Sequence, residues 1–359
     1  MLKQEVAELK KRFKIDKNNI NRVCGCYVSA EKEKIVTFAE NFLSLEEDET
    51  FKFLDIAKKS LGGKLGNNLL DMEFPLKAEE EGGQQANLLA LKKSELKNDD
   101  LLDAFYDFVI EKYEYPENYL ILLFYDVYDV PKKGKDKANQ GESEDVYDYV
   151  LCALCPVSTA KSTLGYLTEE NKIGLVTGSW VVKAPETAIL FPAFNDRATD
   201  LHSALFFTKN TMEPHMEVME EILGCKAIST SDMNKDMFNT IIEQSIQKTN
   251  NEEEVADTIL MVHNALHDYL EEHGGGTHAD TAEYDLIELS KDTLKEILED
   301  IEFDTDAIAD VMSGFDDMFG DTTLYMSKIV DEKLLKKFGW KLELLDLRKQ
   351  VQNLKKKEN

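Results

Sequence analysis

The chain has 359 residues, 43% of them hydrophobic and 9% aromatic, which is enough apolar material for one large core or two smaller ones and too much for a disordered chain. Its formal net charge is −28, from 70 acidic and 42 basic side chains. A surface of that sign repels phosphate backbones and anionic lipid, so neither nucleic acid nor a membrane is expected as a partner.

In chain order, residues 2–13 read as a short charged helix. Segments 21–28 and 34–38 read as a β-hairpin. Ser44 with Glu47 suggests a capping box opening a helix whose buried stripe is Phe51, Leu54, Ala57 and Leu61, stopped by Gly62-Gly63. A second helix spans about 100–111, with Leu101, Phe105 and Phe108 on one face. The period then changes. Segment 118–130 is aliphatic and aromatic, 132–144 is a polar, Gly-containing tip expected to be mobile, and 146–157 is strand-like again. Further strands are expected at 180–183, 188–194 and 203–208. The order suggests a mostly antiparallel sheet with helices on one face, although the continuous apolar run 120–124 fits strands covered on both sides.

Beyond Lys209 the pattern is helical. Val255, Ile259, Val262, Leu266 and Tyr269 keep a 3.6-residue period, Ser290 starts a helix carrying Leu294, Ile297 and Ile301, and Asp304 caps one carrying Ile308, Val311 and Phe315. Residues 211–330 hold 29 acidic side chains against six lysines, whereas 331–359 hold nine basic against five acidic. The expected class is therefore α+β: an antiparallel-sheet domain with packed helices over 1–211, an acidic helical domain over 212–330, and a basic helical tail over 331–359. No apolar leader core follows Met1 to Glu5 and no run approaches the roughly 18 apolar residues of a membrane helix. With an odd count of five cysteines, this points to reduced thiols in the cytoplasm.

Three clusters could carry chemistry. Between two expected strands, Asn195, Asp196, Arg197, Asp200 and His202 crowd eight residues. Asp196 and Asp200 could act as acid and base or hold a cation, Arg197 could hold an anion, and His202 titrates near neutrality. The same residues could equally cap local backbone groups, with Arg197 joined to Asp196, Asp200 or a carbonyl. Cys24-Gly25-Cys26 and Cys152-Ala153-Leu154-Cys155 supply four soft ligands of zinc type, but in strands residues 24 and 26 share a face while 152 and 155 do not, so packed, metal-free thiols are expected. His263 and His267 stack at i, i+4 ahead of His273 and His278, without the Glu of a zincin motif, and read as solvated boundary residues. Phosphate-loop spacing, a nucleophile elbow, a kinase set and a dinucleotide fingerprint are all lacking.

The phrases Arg22-Val23-Cys24-Gly25-Cys26-Tyr27-Val28, Gly66-Asn67-Asn68-Leu69-Leu70-Asp71-Met72-Glu73-Phe74, Tyr125-Asp126-Val127-Tyr128-Asp129-Val130-Pro131, Leu151-Cys152-Ala153-Leu154-Cys155-Pro156-Val157 and, above all, Phe191-Pro192-Ala193-Phe194-Asn195-Asp196-Arg197-Ala198-Thr199-Asp200 followed by His202-Ser203-Ala204-Leu205 are similar to a bacterial family, mainly of Firmicutes, catalogued as domain of unknown function 4317. The resemblance implies a cytoplasmic bacterial protein and transfers no activity and no catalytic residue. The chain departs from the family's expected β-rich ending, since 333–359 are helical in pattern and Lys-rich.

The leading expectation is a non-enzymatic protein-interaction or regulatory protein, with another protein docking on the acidic helical region. One alternative is a hydrolase-type enzyme built on Asp196, Arg197, Asp200 and His202. The other is a metal-binding structural protein. No cofactor is expected, and no metal-ligand set is assigned.

Overall fold

The computed structural model describes residues 1–133, 139–169, 171–176, 178–246, 251–274, 284–320 and 322–358, with only the backbone of 132–133, 139–144, 349 and 352–358. The chain forms two compact units, Met1–Thr230 and Ser231–Asn359. The boundary expected near residue 212 falls inside the first unit.

The first unit is an α+β fold. Helix α1 (Lys3–Lys10) leads into the hairpin β1 (Arg22–Val28) and β2 (Lys34–Asn41), followed by α2 (Glu47–Lys59), β3 (Leu69–Glu73), α3 (Leu76–Glu79), α4 (Gln84–Lys93) and α5 (Asp99–Lys112). The long strands β4 (Tyr119–Lys133) and β5 (Asn139–Thr159) follow, then β6 (Thr163–Leu167), β7 (Lys172–Val176), β8 (Trp180–Val182), β9 (Thr187–Phe191), β10 (Ala193–Asn195), β11 (Ala198–Asp200) and β12 (Ser203–Thr208). The main sheet runs β2-β1-β4-β5-β9-β12-β3, with β8 also on β5, and its strand pairs are antiparallel. The core of the polar tip expected at 132–144, residues 134–138, lies outside the described residues. The flanking strands reach further into the tip than expected, to Lys133 and from Asn139.

Period-two alternation sorts the strands onto two cores. Ile121 and Leu123 face the core built with α4, α5 and the short helix Val218–Ile222. Leu120, Leu122 and Phe124 face the core built with α1 and α2. The expectation of helices on one face is therefore corrected: both faces are covered, which is why residues 120–124 are apolar without a break. Gly25 is fitted to the hairpin, because a Cβ there would lie 2.4 Å from the ring of Phe38 on β2.

Local signals fared unevenly. Ser290 and Asp304 cap α8 (Lys291–Asp300) and α9 (Thr305–Phe319), each accepting backbone N–H bonds in the first turn. Ser44 does not cap α2. Its hydroxyl donates to the Asn41 carbonyl inside a 3₁₀ turn, and Glu46 takes the cap position. Leu54, Ala57 and Leu61 of the expected α2 stripe are buried, but Phe51 is exposed.

The second unit contains α6 (Ser231–Ser245), α7 (Glu252–His273), α8, α9, α10 (Met326–Ile329), α11 (Glu332–Phe338) and α12 (Trp340–Glu358). Its core gathers Phe238, Ile241, Val262, Leu266, Leu294, Val311 and Phe315. No helix among the described residues is long and apolar enough to cross a membrane.

Candidate functional site

The polar segment at 195–202 forms a small hairpin. Asn195 pairs with Ala198, so Asp196 and Arg197 are the whole loop between β10 and β11. Both have positive φ, +50° and +59°. This is the handedness that a two-residue antiparallel turn requires, and it is unfavourable for residues other than Gly, Asn and Asp. Phe194 anchors the hairpin from below. It is fully buried, with its ring 4.6 Å from that of Tyr147, whose hydroxyl donates to the Pro192 carbonyl at 2.6 Å.

Arg197 is directed at α1. Its guanidinium donates through Nε to Glu8 Oε2 at 3.1 Å and through Nη2 to Glu8 Oε1 at 2.9 Å and the Pro131 carbonyl at 2.8 Å. Its backbone N–H reaches Glu5 Oε1 at 3.3 Å. The backbone carbonyl was among the acceptors expected for this side chain; the carboxylate is supplied by Glu8, not by Asp196 or Asp200. Asp200 instead accepts Asn195 Nδ2 at 2.6 Å and the His202 N–H at 3.0 Å. Burial pushes its carboxyl up, but bonds from Ser203, Asn195 and the His202 N–H outweigh that and hold it below the ordinary carboxylate value. Asp196 is exposed. His202 is 78% exposed and sits 2.7 Å from Glu79 Oε1 on α3. The hydrogen bond and charge of Glu79 raise its pKa above the usual imidazole value. Asp196 is turned to solvent, and the other three, though close in the chain, turn to three different sets of partners.

The wider network is continuous and mostly buried. Glu8 also accepts the Tyr128 hydroxyl at 2.7 Å. Arg12, in the turn that follows α1, lies 4.2 Å over the Tyr128 ring and makes bidentate bonds of 3.0–3.2 Å to Asp126. Asp126 is fully buried on β4 and also accepts the Tyr149 hydroxyl at 2.7 Å and the N–H groups of Asn19 and Val127, both at 3.0 Å. Glu8, Arg12, Asp126 and Tyr149 were not anticipated as members of this site. A signal was present: Glu8 and Arg12 stand at i, i+4, and Asp126 interrupts an apolar strand, where an ionised group needs a partner.

This arrangement is suited to clamping α1 onto β4 and the β10–β11 hairpin. If clamping is the role of Arg197, Arg197→Ala should cost about 1–3 kcal/mol of stability, the range for removing one partner of a buried polar network. His202→Ala should leave the melting temperature essentially unchanged, because its imidazole lies in solvent. Thermal unfolding of the two variants checks this; equal and negligible losses would refute the clamp.

The other clusters also resolve. Cys24, Cys26 and Cys152 face one core and Cys155 the other, so the four thiols do not converge. Burial pushes Cys26 up to about 11 and Cys152 to about 12, keeping both protonated. His263 is not a solvated boundary residue. It is fully buried, with Nε2 2.8 Å from Asn239 Oδ1 on α6, while Nδ1 accepts the Asp331 N–H at 3.2 Å. That acceptor role places the proton on Nε2. His267 is half-exposed, 3.9 Å from Asp268, and His278 lies outside the described residues. Among the described residues no group of three or more His, Cys, Asp or Glu side chains could hold a metal ion. A cavity of about 390 Å³ is lined by Phe13, Lys14, Asp16, Phe51, Asp55 and Lys58 among others, and by none of the four hairpin candidates.

No curated protein and no solved structure matches the chain. The profile described as "Domain of unknown function (DUF4317)" matches residues 1–339, which takes in the hairpin, its partners on α1 and β4, and the helices up to α11. On that match the chain belongs to the DUF4317 family.

Proposed function

We propose that the protein is a non-enzymatic interaction protein whose first unit presents the β6–β7 hairpin to an apolar patch on a second, different protein. The observation that carries this reading is the face of that hairpin. Leu164 pairs with Leu175 and Tyr166 with Ile173, which puts all four side chains on one side of the ribbon. They are 77%, 63%, 56% and 68% exposed, in that order. Leaving them in water forgoes about 25 cal/mol for each Å² that could be covered, and grouped apolar exposure of this kind marks interaction sites. Trp180 on β8, also exposed, follows the hairpin in the chain. The charge fits a protein partner: residues 159–183 carry three lysines and two glutamates in a chain of −28. A neutral or acidic protein surface therefore meets little of the like-charge repulsion here that it meets elsewhere, whereas the chain as a whole opposes phosphate and anionic lipid. The polar hairpin at 195–202 supports the same reading, since Arg197 and Asp200 are committed to Glu8, Pro131, Asn195 and the His202 backbone. The setting that suits five protonated, buried thiols is the cytoplasm.

The test is a photo-crosslinking residue at position 166 of the full chain in the cells that make it. The expected result is one discrete adduct with a different protein, lost in Leu164→Ser with Leu175→Ser and unchanged in Asp200→Asn. The melting temperature should hold in the Leu164→Ser with Leu175→Ser protein. Absence of an adduct, or an adduct of two identical chains, would overturn the proposal. So would hydrolysis of ester, phosphoester or peptide substrates that Asp200→Asn or His202→Ala abolishes.

A further inference from the structure

The family match ends at Gly339, and α12 begins at Trp340. The helix beyond the family domain carries a second uncovered apolar face, independent of the β6–β7 hairpin. Trp340, Leu344, Leu347 and Val351 are 67%, 47%, 60% and 49% exposed. Their spacing of four, three and four residues is that of alternating d and a positions in a heptad, and the sequence continues it at Leu354. On a 3.6-residue helix these positions form a narrow stripe rather than the broad apolar sector of a helix packed on its own core. Leu342 and Leu345, turned away from the stripe, are half-buried, and Lys341 pairs with Asp257 of α7 at 3.4 Å. The helix is therefore held on its own unit by one side and leaves the stripe outward.

We infer that this stripe is the seam of a parallel two-stranded coiled coil with a second copy of the same chain. The flanking charges select the occupant and its direction. With Leu344 at a, Glu343 falls at g and Arg348 at the following e. In a parallel pair, g of one helix meets e five residues on in its partner, so Glu343 faces Arg348 twice by symmetry. In the antiparallel arrangement that stacks Leu344 on Leu347, e meets e and g meets g, so Arg348 no longer meets Glu343. The 19 residues of α12 span only about 28 Å, and a seam of about two heptads gives a reversible, concentration-dependent dimer rather than an obligate one.

Sedimentation equilibrium of the full chain tests this. The weight-average mass should rise from that of one chain toward two as concentration increases. Leu344→Lys with Leu347→Lys should remain a monomer at every concentration, and unchanged melting of both units would show that the variant is folded. Arg348→Glu should weaken the dimer, and Glu343→Arg added to it should restore the dimer. Leu347→Cys should form a disulfide between identical positions under mild oxidation, as only a parallel seam allows. A wild-type chain that stays monomeric throughout would overturn the inference. So would a dimer indifferent to Leu344 and Leu347, cross-linking only between Leu344→Cys and Leu347→Cys chains, or a tail that binds phosphatidylglycerol vesicles without self-association. None of these outcomes bears on the hairpin crosslink at position 166, so the two readings stand or fall separately.

Discussion

Asp126→Ala should be among the most damaging single substitutions in the first unit, costing about 3–5 kcal/mol, the range for breaking a buried ion pair by removing one partner. Asp126 is fully buried and accepts from Arg12, Tyr149 and the backbone of Asn19 and Val127. Removing its carboxylate leaves a guanidinium whose side chain is only 10% exposed, together with a tyrosine hydroxyl and two N–H groups, short of their acceptor. Arg12 then keeps the Val127 carbonyl at 3.1 Å but loses its ion pair, and with it goes part of the docking of α1 and the turn after it. Tyr149→Phe is the graded control. It deletes one donor and leaves the others, so about 1 kcal/mol is expected, the net worth of a single hydrogen bond. Urea unfolding of both variants measures the contrast. An Asp126→Ala protein within about 0.5 kcal/mol of wild type, the scale of an ordinary surface substitution, would show that the network does not hold the unit together.

Acidification should weaken the second unit through His263. Burial, aided by Lys235 and opposed by Asp331, lowers its pKa to about 4, whereas in the unfolded chain it binds a proton near 6.5. A group whose folded form resists protonation contributes fully above its unfolded pKa. That contribution is lost as pH falls toward the folded value, at about 1.4 kcal/mol per pH unit. It comes to about 1.4 kcal/mol by pH 5.5 and about 3 kcal/mol in all. The structural reason is plain: protonation would put a proton on Nδ1, where the Asp331 N–H already points, and would charge a ring enclosed by α6, α7 and the start of α11. Comparing wild type with His263→Gln isolates the term, because other titrating groups are common to both. The stability difference between them should shrink by about 1.4 kcal/mol between pH 7.5 and 5.5. A difference independent of pH would mean that His263 takes up its proton without opposition in the folded state.

The regions that read correctly from sequence are those governed by neighbours in the chain. Ser290 and Asp304 cap their helices because a side-chain oxygen two or three residues from an N–H needs no help from the rest of the fold. The opposed directions of Cys152 and Cys155 follow from strand geometry. Ser44 failed as a cap because it ends the 3₁₀ turn that Asn41 caps, and α2 starts beyond it with Glu46 in the cap position. The hairpin β6–β7 was not expected, since its apolar residues face outward and its pattern resembles neither a buried strand nor a polar loop.

By itself, then, the sequence determined the α+β class, the long apolar strands, the caps of α8 and α9 and the acidic balance. Each of these depends on residues within one or two turns or on composition alone. Only the tertiary structure decided that Arg197 belongs to Glu8, 189 residues earlier, and that Asp126 belongs to Arg12, 114 residues earlier. Periodicity says which way a side chain faces, but the partner of a buried charge depends on which strands lie side by side. Here the order β1-β4-β5-β9 and the packing of α1 across it bring three distant segments within hydrogen-bond reach, and an ion that must be paired in the interior takes whichever acceptor the fold delivers.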